Sequence, residues 1–310
     1  AVAGFVPVRA GEHPRLTFRP ADLPRLKERA ASDQGKAIIA RMRLMQDVGR
    51  AQGETQYEGY RAAARAFLWR LNGAPEDLDQ ARALISMRVI GFPMERRLPI
   101  VERACRLMGT ALAYDLAWDG LDPAFRSRVA DWLKDQSNEL IAWTSHPPLD
   151  RRTEKWHLVA RAAAGVAAMA VLGDAEADEL APLRLAAARA SVHAYLEDAI
   201  SEAGWQPAGD SALSLSLVHG LLPFFQAARA SLGEEMAGHG HFEQVYPLLI
   251  ARVVPRAGTP LFGPGGPPAD VSGFLAMGWG SIPRRYLPAV GWFWRQMDGP
   301  RSFDIILPHG

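Results

Sequence analysis

Blocks of small and apolar residues at helical spacing alternate along this chain with short polar breaks that share one order: glycine, then acid. LNGAPED at 71–77, WDGLDP at 118–123, VLGDAEAD at 171–178 and SLGEE at 231–235 all follow it. Glycine ends a helix because it enters the left-handed conformation without a side-chain penalty. Acid in the next first turn faces the positive end of the new helix dipole. The pattern predicts a helix beginning at 21–23 behind Pro20 with Asp22 as cap, then helices at 33–48, 55–72, 76–89, 94–118, 123–143, 153–172, 175–200, 211–231, 241–253, 271–280 and 284–297. The glycines at 73, 120, 173 and 233 are unevenly spaced, so there is no strict repeat. Strand-like alternation is missing except in FDIIL at 303–307, which is expected to start a strand. The expected fold is all-α: antiparallel helix pairs, apolar inside and amphipathic outside, closed into an (α/α) toroid or incomplete barrel. A plain helical solenoid is the second choice. The expected segments are an irregular arm over 1–20, the helical domain over 21–300 and a tail over 301–310.

The chain is organised around RTEKWHLVARAAAGVAAMAVLGD, Arg152 to Asp174. Thr153 is the expected N-cap, Glu154 falls in the first turn, and the helix is expected to stop at Gly173. Small residues on several faces imply that other helices surround it. Its polar head gathers Arg151, Arg152, Glu154, Lys155, Trp156 and His157. Two irregular stretches break the helical rhythm, EAGWQPAGD at 202–210 and PRAGTPLFGPGGPPAD at 255–270, and clefts concentrate in such loops.

Composition narrows the function classes. With 310 residues, 48% of them hydrophobic, the chain can bury an ample core. A net charge of +1 argues against bulk nucleic-acid binding. The single cysteine, Cys105, excludes an internal disulfide. The longest apolar run, around Ala162 to Leu172, is read as too short to cross a membrane, so no membrane partner is expected. The first residues, AVAGFVPV, lack an initiator Met and suggest the mature end of an exported protein, periplasmic or secreted. The sequence holds no Walker loop, no dinucleotide fingerprint, no nucleophile elbow and no HExxH, and no cofactor is expected.

Several residues have the chemistry for a site. Trp156 and His157 beside Arg151, Arg152 and Lys155 combine an aromatic platform, an acid/base group and cations, the set an acidic sugar requires. The alternative is that Trp156 is core and His157 a helix-terminal residue. Trp205, Gln206 and Asp210 lie in the 202–210 loop. Asp210 either caps the following helix or forms a carboxylate pair with Glu202 for glycoside hydrolysis. His219 sits in the apolar run SALSLSLVHGLLPFF, where a histidine needs a partner or a cavity. His239 and His241 in GHGHFE have metal-pair spacing but no third ligand, so a surface loop is expected and no metal. Tyr57, Tyr60, Tyr114, Tyr195, Tyr246 and Tyr286 each offer a phenol, and spacing does not rank them. Trp279, Trp292 and Trp294 are expected to be core.

HPRLTFRPADLPRLKERA at 13–30, YRAAARAFLWRLNG at 60–73, ALAYDLAWDGLDPAFRSRVADWL at 111–133 and KWHLVARAAAGVAAMAVLGD at 155–174 resemble, in that order, the N-terminal toroid of the heparinase II/III-like polysaccharide lyases. Alginate lyases share that toroid. The resemblance implies β-elimination on a uronic-acid polysaccharide, with an Asn or His neutralising the C5 carboxylate and a Tyr or His moving the C5 proton. The family's central helix opens Asn-Asn-Trp-Asn, whereas Glu154, Lys155, Trp156 and His157 stand here and only the Trp matches. Its downstream Asp-Gly-Gly-Trp is matched by Glu202, Ala203, Gly204 and Trp205, while Ser211 and Ser214 occupy the family's tyrosine places. Relatives continue into a β-sandwich, so the 301–310 tail is read as the possible start of a missing β-domain.

The expectation is therefore a polysaccharide lyase acting on an acidic polysaccharide or oligosaccharide. His157 and His219 are its acid/base pair, Trp156 and Trp205 its platforms, and Arg151, Arg152 and Lys155 its carboxylate binders, with Gln206 and Asp210 beside them. A toroidal glycoside hydrolase using Glu202 and Asp210, or a non-catalytic glycan-binding toroid, are the alternatives.

Overall fold

The computed structural model describes residues 2–52, 57–90, 98–146, 151–174, 179–251, 275 and 277–296. Among them every regular element is a helix: α1 (Leu23–Ala31), α2 (Asp33–Gln52), α3 (Glu58–Asn72), α4 (Pro75–Ala83), α5 (Ile100–Ala117), α6 (Pro123–Thr144), α7 (Lys155–Val171), α8 (Ala181–Asp198), α9 (Asp210–Ser216), α10 (Leu222–Leu232), α11 (Val245–Ala251) and α12 (Leu287–Gln296). The fold is all-α. The 255–270 loop and the FDIIL segment expected to start a strand lie outside the described residues.

The stop signals work as the sequence predicts. Gly73 and Gly233 cap α3 and α10 in the left-handed conformation, each donating its N–H back to the last turn. Pro occupies the first turns of α4, α6 and α8, where its missing N–H has no helical partner to lose. Boundaries move where propensity meets packing. The α5 helix begins at Ile100 rather than 94, and α8 begins at Ala181 behind a turn rather than 175.

Helix α7 lies at the centre. Every residue from His157 to Val171 is buried, because α5, α6, α8 and the 210–232 helix all pack around it. Helices α3, α5, α7 and 210–232 form a contacting row, with α4, α6 and α8 against it. Small residues set the spacing. A Cβ at Gly109 of α5 would stand 2.3 Å from the Tyr60 nitrogen of α3, and one at Gly59 would stand 2.7 Å from the Arg106 carbonyl. At Gly165 a Cβ would meet Ala188 of α8 and Phe224 of α10 at 2.5 and 2.6 Å. These are crossings that only a missing side chain permits.

Ser211–Leu232 corrects one reading of the sequence. This 22-residue run is long and apolar enough by composition to cross a membrane, whereas the 162–172 run is expected to be the longest apolar stretch. Most of it is buried among the other helices, and a core helix enclosed on all sides reads as apolar all round.

The N-terminal arm, expected only to be irregular, is fastened by a buried polar cluster. His13 bridges two carboxylates: its Nδ1 lies 2.7 Å from Asp115 of α5, and its Nε2 lies 2.9 Å from Asp174 beyond α7. Asp115 also accepts the backbone N–H groups of Arg15 (2.9 and 3.0 Å) and Leu16 (2.9 Å). The Arg15 guanidinium pairs with Asp174 and donates to the Leu172 carbonyl at the open end of α7. Burial pushes the Asp174 carboxyl up, but hydrogen bonds from His13 and Arg15 more than reverse this and hold it below its ordinary range. The imidazole stacks on Trp118 at 4.7 Å. The arm thus ties together the C-terminal ends of α5 and α7.

Candidate functional site

Pro223 shapes the long helix 210–232. It has no N–H to donate to the His219 carbonyl, so the ladder cannot continue in α register there. Leu217–Leu221 widens into a π-helical turn, in which Leu222 N–H reaches back five residues to the Leu217 carbonyl. Such bulges re-aim side chains and recur at functional sites. Here the turn carries His219, which is 4% exposed.

The partner of His219 comes from α3. The Tyr60 hydroxyl lies 3.2 Å from His219 Nδ1, and the Tyr57 ring lies parallel to the imidazole at 6.3 Å. Burial lowers the His219 pKa from 6.5 to about 4, so the ring is neutral at pH 7 and its unprotonated nitrogen can accept the Tyr60 proton. Burial also raises the Tyr60 phenol well above its ordinary value, with Cys105 and Tyr57 adding smaller effects in the same direction, and Tyr60 keeps its proton. Tyr60 as a whole residue is half-buried, and His219 is enclosed.

The head of α7 adjoins this pair. A Cβ at Gly220, next to His219, would stand 3.2 Å from Leu158, next to His157. The π turn therefore packs on the first turn of α7, and Tyr60 joins it to the first turn of α3. Helix α7 starts at Lys155 with Glu154 at the cap position. Thr153 is not the cap, because the chain turns through 152–153 before the helix begins. Arg151 and Arg152 are exposed, Lys155 and Trp156 are half-buried, and His157 is 1% exposed. The Trp156 ring meets Trp143 edge to face at 5.5 Å, and the two form a partly exposed aromatic pair at the end of α6. Trp143 was not singled out in the sequence; its position at the C-terminal end of its helix was the available signal.

The 201–209 loop is joined to the helices around it through Tyr195. This buried phenol lies 2.7 Å from Ser216 Oγ, is hydrogen-bonded to Gln206 and senses the charge of Glu154. Burial raises its pKa against the opposing hydrogen bonds. Gln206 is thereby tied to α8 and α9. Trp205 is half-buried, its backbone closing a turn with Ser201, and Glu202 is exposed. Asp210 begins α9, but its side chain lies outside the described residues. At Gly204 a Cβ would clash with the Gln244 backbone at 2.4 Å, and φ is +78°, so only glycine fits this turn.

The remaining candidates disperse. His239 and His241 are exposed as the sequence predicts, His239 sitting edge-on to His193 at 4.5 Å. No group of three metal-ligating side chains occurs among the described residues. Tyr114 is buried in the core, and the Tyr246 hydroxyl bonds Ser281 at 2.7 Å. Trp294 packs on the core, but Trp279 and Trp292 are 43% and 58% exposed, contrary to the expectation, because both sit on the outer side of the C-terminal elements.

The arrangement pairs a protonated phenol with a neutral imidazole, on a π turn that packs against the helix whose head carries Lys155 and Trp156. No protein-family model matches this chain, and no curated protein sequence matches it.

Proposed function

We propose that this chain is a polysaccharide lyase that cleaves a uronic-acid-containing glycan by β-elimination, on an (α/α) toroid of the heparinase II/III-like kind. The observation carrying the proposal is the 3.2 Å contact between Tyr60 and a neutral His219 in a π-helical turn. The two-row packing of α3, α5, α7 and 210–232 against α4, α6 and α8 supports the toroid.

In this reading the uronate carboxylate pairs with Lys155, Arg151 and Arg152, which weakens the C5–H bond. The Tyr60 oxygen takes the C5 proton while its own proton passes to His219 Nδ1. The C5–H electron pair becomes the C4–C5 double bond, and the C4–oxygen bond breaks. The proton held on the pair then passes to the departing oxygen, and Tyr60 and His219 return to their starting states. Trp156 and Trp143 stack the neighbouring sugar, His157 backs the Trp156 ring at 6.0 Å, and Gln206 and Trp205 border the cleft.

Product mass tests the proposal. Alginate, heparin, hyaluronan and glucuronan oligosaccharides are incubated with the protein and the fragments weighed. Elimination leaves fragments whose masses sum to the parent, whereas hydrolysis adds one water. Fragments carrying that extra water would move the assignment to a glycoside hydrolase, and intact oligosaccharides in every case would reject catalysis on these glycans.

A further inference from the structure

A recess lies away from the Tyr60–His219 pair. The arm, α1, the C-terminal end of α10 and Gly280 line an open groove of about 860 Å³, within the size range of small-ligand sites. Arg229 in its wall is ten residues beyond His219 on the same long helix, roughly 15 Å along the axis.

Its lining combines apolar and cationic groups. Phe5, Phe18 and Leu26 provide apolar surface, and five arginines (Arg9, Arg19, Arg25, Arg29 and Arg229) outnumber the acids Glu12 and Asp22. Arg19 is committed to Glu12, and Arg229 to Glu235 at 3.2 Å and the Gly280 carbonyl. Arg25 and Arg29, one turn apart on α1, form no ion pair among the described residues. Thr17 also lines the groove. Its hydroxyl is buried and has no hydrogen-bond partner among the described residues. A recess whose cations outnumber its acids is complementary to an anion.

We propose that this groove binds a small organic polyanion, its carboxylates or phosphates held by the guanidinium forks of Arg25 and Arg29 and its apolar part against Phe5 and Phe18. Arginine suits this role because its planar fork pairs bidentately with either group. The site is independent of the catalytic reading, since none of its residues touches the Tyr60–His219 pair.

Isothermal titration of the whole chain at low salt tests the assignment, with inorganic triphosphate and a glucuronate trisaccharide as separate probes. At least one probe binds wild type, weakens as salt is raised, and weakens about tenfold or more in Arg25→Glu/Arg29→Glu. Tighter triphosphate binding identifies a phosphorylated ligand, and tighter trisaccharide binding an acidic sugar. Both exchanged residues are exposed on α1, so unfolding is not expected, and circular dichroism verifies this. Binding unchanged in Tyr60→Phe/His219→Gln assigns it to the groove. The proposal is overturned if neither probe binds, or if binding survives the double charge reversal or disappears in Tyr60→Phe/His219→Gln.

Discussion

The Tyr60 hydroxyl stands 3.2 Å from Nδ1 of His219, although 159 positions separate the two residues. Gly59 and Gly109 let α3 and α5 touch backbone to backbone beside Tyr60, and Pro223 opens the π turn that presents His219. If this pair carries the proton transfer, Tyr60→Phe keeps the ring packing and removes only the hydroxyl. Turnover is then expected to fall about 10²–10⁴-fold with KM little changed. Steady-state kinetics on the responsive glycan provides the check.

His219 also makes stability depend on pH. Its folded pKa, about 4, lies below the ordinary 6.5, so between these values the unfolded chain binds the extra proton. Stability contributed by the neutral ring is complete above about pH 6.5 and is lost as pH falls toward 4, by about 3 kcal/mol. Urea titrations at pH 7, 5.5 and 4.5 measure the loss. His219→Gln, which cannot titrate, is expected to remove that part of the slope.

The arm clamp is structural and stands at the far end of α7, a helix of 17 residues and about 25 Å from the candidate site. Asp115→Ala strips His13 and two backbone N–H groups of their acceptor. The expected cost is about 3–5 kcal/mol, the range for breaking a buried charged network. Thermal melts test this, and at temperatures where the variant stays folded its turnover should match wild type.

Trp143 and Trp156 are expected to act on binding rather than on the chemical step. Trp143→Ala should raise KM up to about tenfold, equivalent to about 1.4 kcal/mol, with kcat unchanged. A fall in kcat at constant KM would instead place Trp143 in the proton-transfer geometry.

Much of the fold is legible in the sequence because its punctuation is local. Gly73, Gly173 and Gly233 all adopt positive φ, and Pro75 and Pro123 sit in the first turns of their helices. The buried α7 reads from its small residues. Long-range pairings do not read this way. Nothing in HPRLTF announces that His13 meets Asp115 and Asp174, and six tyrosines were equivalent until α3 crossed α5 and brought Tyr60 to His219. His219 stood out because an ionisable ring in an apolar run requires a partner. Its partner depended on helix packing, to which spacing along the chain is blind.

The most direct test of the central claim is the ultraviolet absorbance of unsaturated uronate ends, followed with wild type and Tyr60→Phe side by side on alginate, heparin, hyaluronan and glucuronan. The account predicts rising absorbance with wild type on at least one of these glycans, and almost none with the folded variant. Equal rates in the two proteins, or no absorbance from wild type on any of the four, would contradict it.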